Sequence, residues 1–177
     1  MDFIEERCVR PSPSLRTAAA MRENPINVFE RLSLAEGYDF ERMSETEIHI
    51  CAQGLWSDYN ISVKWNHATE QVKLLLVFEG RIPGGRTDQI CRLMSLINER
   101  LVAGHFDFWT KSSSLVYRNA LSLSGGARLK TEQAMDMIAQ GLDAASRGYP
   151  ASQYVIWAGK SPEDALTAAL VDIAANP

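Results

Sequence analysis

The stretch Trp56-Ser57-Asp58-Tyr59-Asn60-Ile61-Ser62-Val63-Lys64-Trp65 alternates in character. Tyr59, Ile61, Val63 and Trp65 fall on one side; Asp58, Asn60, Ser62 and Lys64 fall on the other. A period of two gives a strand with one dry face and one wet face, as in an antiparallel sheet covered on a single side. After the short loop Asn66 to Glu70, the segment Val72 to Phe78 is apolar on both faces and predicts a more central strand. That loop is too short for a crossover, so the two strands form a hairpin.

Working outward, Glu47 to Gln53 predicts another strand, with Ile48 and Ile50 on one face, and Tyr38 to Met43 a weaker one. A short helix precedes them: Asn24 caps it, Pro25 opens it, Val28, Leu32 and Ala35 share a face, and Gly37 ends it. On the other side Gly84-Gly85 interrupts the chain, and Thr87 is the expected cap of a helix with Asp88 in its first turn. Ile90, Leu93, Met94, Ile97 and Leu101 are its stripe, and Gly104 its expected stop. Strands at Phe106 to Thr110 and Leu115 to Leu123 follow, closed by Gly125-Gly126. Thr131 is the expected cap of a helix carrying Ala134, Met137, Ile138, Leu142 and Ala145, which Gly148-Tyr149-Pro150 should break. A short helical stretch, Ala151 to Ala158, comes next. Ser161-Pro162-Glu163-Asp164 then starts a last helix with Leu166, Ala169, Leu170 and Ile173.

The order is α-β-β-β-β-α-β-β-α-α. Strands cluster instead of alternating with helices, so the fold class is α+β: an antiparallel sheet with flanking helices, covered mainly on one face. Residues 24–177 are expected to form one domain. Residues 1–23, with Pro11-Ser12-Pro13-Ser14 and no sustained periodicity, are expected to form a flexible arm.

The 177 residues are 46% hydrophobic and 23% charged, with a formal net charge of -4. That balance excludes a strongly basic nucleic-acid binder, a collagen-like chain, a disulfide scaffold and a fully disordered chain. Cys8, Cys51 and Cys91 are odd in number and widely spaced, which argues against a disulfide framework or a structural zinc site. The longest apolar run, Leu74 to Phe78, is far short of a membrane span, and acidic Asp2, Glu5 and Glu6 do not suit a signal peptide. A cytoplasmic location is expected.

The residues name no reaction. Gly84-Gly85 and Gly125-Gly126 are isolated pairs outside any nucleotide-binding pattern; Gly125-Gly126 reads as a turn or, before a helix, as an anion site. His49, His67 and His105 have no metal-ligand spacing. His105 and Asp107 share a strand face, a placement open to an acid–base pair or to simple hydrogen bonding, but no third group is evident beside them. Cys91 next to Arg92 is either a reactive thiol or packing material. No catalytic residue, cofactor or metal is expected.

Charge is unevenly spread. Residues 25–50 hold six acids and two bases, residues 81–130 three acids and eight bases, and residues 131–177 six acids and two bases. The basic middle, with Arg81, Arg86, Arg92, Arg100, Lys111, Arg118, Arg128 and Lys130, either meets an acidic partner or is neutralised within the fold or across a dimer. Nucleic acid and membrane are not expected partners. Among the aromatics, Phe106 and Phe108 share one face of their strand and Trp109 the other, so both faces carry apolar surface. Trp109 is the foremost interface candidate; Phe106, Trp65, Arg118 and Arg100 are the others.

Asn98-Glu99-Arg100-Leu101, Gly104-His105-Phe106-Asp107, Tyr117-Arg118-Asn119-Ala120-Leu121 and Trp157 through Leu166 resemble, in this order, segments of the bacterial YbjN-like family of sensory transduction regulators. The resemblance covers about residues 24–175. It implies a fold like that of type III secretion chaperones, commonly dimeric, and supplies no catalytic residues to carry over. The expected function is therefore a non-enzymatic interaction module: a sensory transduction regulator or chaperone-like adaptor that binds a protein partner, as a homodimer. The alternative is a small-ligand or anion sensor that uses the basic central span.

Overall fold

In the computed structural model, which describes residues 23–175, all six strands join one antiparallel sheet in the order β1-β2-β3-β4-β6-β5. The strands are β1 (Asp39–Ser44), β2 (Glu47–Gln53), β3 (Asp58–Asn66), β4 (Gln71–Val77), β5 (His105–Trp109) and β6 (Ser114–Ser122). The helices are α1 (Pro25–Glu36), α2 (Thr87–Asn98), α3 (Thr131–Ile156) and α4 (Pro162–Ala175). Element order and class are those expected; the arm expected at residues 1–23 lies, but for Glu23, outside the described residues.

Strand register explains the core. Ile50, Ile61, Leu76, Tyr117 and Phe106 face one another across five strands, and Ile48, Val63 and Leu74 form the adjoining row. All of them are buried against the helices. Helix α1 covers β1 to β3, α3 crosses β4 and β6, and α2 lies beside β5; α4 packs chiefly on α2 and α3. The caps of α1 are as the sequence predicts: Asn24 Oδ1 accepts the Ile26 N–H at 3.0 Å, and Gly37 closes the helix at φ 73°. At the start of α4, Ser161 Oγ accepts the Asp164 N–H at 3.1 Å.

Several local expectations fail for identifiable reasons. Helix α3 runs unbroken through Gly148-Tyr149-Pro150. Pro150 cannot donate to the Ser146 carbonyl, but the Trp56 indole N–H does so at 2.9 Å, from a residue 90 positions earlier. Gly148 is a packing site: a Cβ there would lie 2.5 Å from the Phe106 ring. Gly104 does not stop α2, which ends at Asn98. It holds φ 69° where a Cβ would come within 2.3 Å of the Tyr117 hydroxyl, which itself donates to the Ala103 carbonyl at 3.0 Å. Thr87 and Thr131 are first helical residues and not caps. A tight turn, Gly84–Arg86, leads into α2, and Lys130 caps α3 with its N–H donated to Gln133 Oε1 at 3.0 Å.

Candidate functional site: the open face of the sheet

The residues that alternate with the core positions form the opposite face of the sheet. Register sets them in rows. One row runs Glu47, Lys64, Lys73, Ala120; the next runs His49, Ser62, Leu75, Arg118, His105; a third runs Cys51, Asn60, Val77, Val116, Asp107. Trp109 stands further along β5 on the same face, 40% exposed. No described helix is built against this side.

A groove of about 510 Å³ lies on this face. Its apolar surface comes from Leu75, Ala120 and Trp109, and its charges from Lys64, Lys73 and Arg118, with the His105 imidazole beside them. Among the described residues, no carboxylate lines it. Two acids sit at its margins. Glu47 takes the Lys64 ammonium at 3.1 Å, lies 2.9 Å from His49 Nε2 and accepts from the Ser62 hydroxyl at 3.2 Å. Burial would raise this carboxyl, but those hydrogen bonds outweigh it and hold it below the usual glutamate range. Asp107 Oδ2 accepts from Arg118 at 3.0 Å, while its Oδ1 accepts the Phe108 N–H at 2.9 Å. Lys73 has no carboxylate partner among the described residues.

Of the residues singled out from sequence, Trp109 and Arg118 come together here, with His105 and Asp107 beside them. The Asp107 carboxylate is engaged by Arg118. Phe106 must be withdrawn as an interface residue: it points to the helices and is buried between Phe78 and Tyr117. Trp65 also faces the helix side, half-buried, with its indole N–H donated to His67 Nδ1 at 2.9 Å. Arg100 is exposed after α2, in a separate depression with Leu101, Gln140 and Arg147. Gly125 and Gly126 form a turn, Ser124–Gly126, separated from α3 by an extended segment, so they build no anion site at its N-terminus. Cys91 is exposed on α2, away from the groove, and Cys8 lies outside the described residues.

Sequence reasoning missed Lys64, Lys73, Leu75 and Ala120. Their signal was present: Lys64 is in the wet half of the β3 alternation, Lys73 and Leu75 are on the second face of β4, and Ala120 shares the face of Arg118 on β6. What no single strand reveals is that the two lysines stand directly opposite each other.

The model of a family described as "YbjN: Putative bacterial sensory transduction regulator" matches residues 25–153. The chain belongs to the YbjN family. The match runs from α1 to Gln153 in α3, so it takes in all six strands and leaves α4 beyond it. The YbjN description is that of a regulator and names no reaction. A solved structure similar to this chain is "YbjN, a putative transcription regulator from E. coli", with 13% identity and a TM-score of 0.49, covering 76% of this chain and 90% of that one. No curated protein matches this YbjN-family chain. Among the described residues, no helix is long and apolar enough to cross a membrane.

Proposed function

We propose that this chain is a non-enzymatic regulatory module that binds a protein partner on the open face of its sheet, as a cytoplasmic, chaperone-like adaptor and a homodimer. One observation carries the proposal: the helices cover one face, while the other presents a groove with Leu75, Ala120 and an exposed Trp109 between charged side chains. Large apolar side chains framed by polar ones are the usual make-up of a protein-binding patch.

A photo-activatable residue at Ala120 tests this directly, with one at exposed Ala139 on α3 as the control. Illumination in the native cell should give a discrete adduct from position 120 and none from 139, and Leu75→Asp should abolish it without lowering Tm. Adducts of equal yield from both positions, or none from 120, would refute the partner site. The homodimer is tested separately: light scattering at micromolar concentration should give twice the chain mass, and a monomer mass would contradict it.

A second reading keeps a specific support. The groove volume is within the range of small-molecule sites, and its charged lining is cationic. A small anion sensor of this kind would show thermal stabilisation by inorganic phosphate or ATP, removed by Arg118→Ala.

A further inference from the structure

Resting on the partner site proposed above, the geometry points to the chemistry of its occupant: we infer that the groove takes an acidic protein segment carrying apolar side chains, laid across β3, β4 and β6.

Three observations support this. First, Lys64 and Lys73 are directly opposed on neighbouring strands and on the same face. Opposed like charges cost stability, and the sheet does not need them for its core. Glu47 relieves Lys64 from the β2 side, which leaves Lys73 without a counter-charge among the described residues. Arg118, opposite Leu75 on β6, adds a further cation to the groove, held on its outer side by Asp107. An acidic group seated beside Lys64 and Lys73 removes repulsion as well as adding attraction, a gain that a neutral segment cannot give.

Second, the charge is segregated. The carboxylates of this face sit on β1 and β2, at the far start of β3 in Asp58, or, as with Asp107, are already paired, and none lines the groove. A basic segment would find nothing there to neutralise it. Between the cations lie Leu75 and Ala120, with Trp109 at the side, so a purely polar anion would leave this apolar surface uncovered.

Third, the neighbouring sheet edge is closed to strand addition. The Phe106 N–H donates to Asn98 Oδ1 at 2.7 Å, Asn98 Nδ2 donates to the Phe106 carbonyl at 3.1 Å, and the Phe108 N–H is taken by Asp107 Oδ1. A partner adding beside β5 would have to break these bonds. At this end of the sheet, beside Trp109 and Arg118, the open face is the surface left for contact.

The probe is an octapeptide of glutamate with leucine at every third position, with twins in which lysine or serine replaces glutamate. Binding to the full chain is measured by fluorescence anisotropy and mapped by nuclear magnetic resonance shifts. The glutamate peptide should bind at least about tenfold tighter than the serine twin, should weaken about tenfold from low to high salt, and should shift Leu75 and Ala120. Lys73→Glu should reverse the preference so that the lysine twin binds best, with Lys73→Ala intermediate; position 73 is exposed, and circular dichroism checks the fold. Equal binding of the serine and glutamate peptides would overturn the acidic assignment and leave the partner site standing. So would a single-stranded RNA that displaces the glutamate peptide from the groove, or a dimer that Lys73→Glu dissociates, the occupant then being a second copy. Loss of the position-120 adduct, by contrast, would remove the partner site itself.

Discussion

Leu74 and Leu75 are neighbours on β4, yet one faces the helix layer and is fully buried while the other is half-buried in the groove. The whole sheet repeats this contrast. On one face the side chains fit each other and the helices; in the groove of the other they are a spaced set of cations, apolar residues and one large aromatic. The same backbone carries both sets, so the difference lies in what the alternation assigns to each side. A face built for stability hides its apolar groups, and a face built for contact spaces them among charges.

The largest effect should separate the two leucines. Leu74→Ala is expected to cost about 2–5 kcal/mol by urea unfolding, and Leu75→Ala less than about 1. Equal losses would mean that the open face is covered in solution. Close packing against the covered face gives the next test. Gly148→Ala should destabilise by about 1–3 kcal/mol because the new Cβ meets the Phe106 ring, although alanine gains about 1 kcal/mol in helix propensity. Gly84→Ala, in open space, should be close to neutral. Trp56→Phe removes the donor to Ser146 and should cost about 1–2 kcal/mol. Adding Pro150→Ala restores an N–H within the helix, so the double variant should recover part of the loss; strict additivity in thermal melts would contradict the capping role. On the open face, Glu47→Gln should lose less than about 1 kcal/mol, and salt should shrink the deficit further, since the lysine pair is solvent-screened.

The last test is silent at neutral pH. Burial pushes the hydroxyls of Tyr59 and Tyr117 from an ordinary value of 10.0 up to about 12. Their unfolded forms release protons first, so their contribution to stability is intact below pH 10 and is lost as pH rises towards 12. Absorbance at alkaline pH should show both titrating late and together with unfolding. Titration near pH 10 without loss of structure would place them outside the core.

The sequence was a good guide wherever one element carries its own evidence. Alternation at Tyr59 to Trp65 reveals β3, and Asn24-Pro25 reveals the start of α1, because those signals are local. It misled at Pro150, where a local rule was overridden by a distant indole, and at Gly104, where a backbone conformation served a tyrosine on β6 and not a helix end. Trp109 and Arg118 were legible as residues of the open face because aromatics and charges are conspicuous on any strand. Lys73 was missed because its meaning depends on which residue stands across from it, and register is a property of two strands. Phe106 was misplaced for a related reason: the two faces of β5 look equally apolar until the helix layer chooses between them.

The bond from Trp56 to Ser146 has a consequence for the order in which the molecule is assembled. The indole belongs to the segment leading into β3, and the carbonyl to the third turn before the end of α3, so during synthesis the donor leaves the ribosome well before its acceptor exists. Until the first hairpins are in place, the helix has no substitute for the hydrogen bond that Pro150 withholds. The second half of α3 should therefore be completed late, on a sheet already formed, and pulse-labelled hydrogen exchange should find the amides after Pro150 protected after those of β3 and β4.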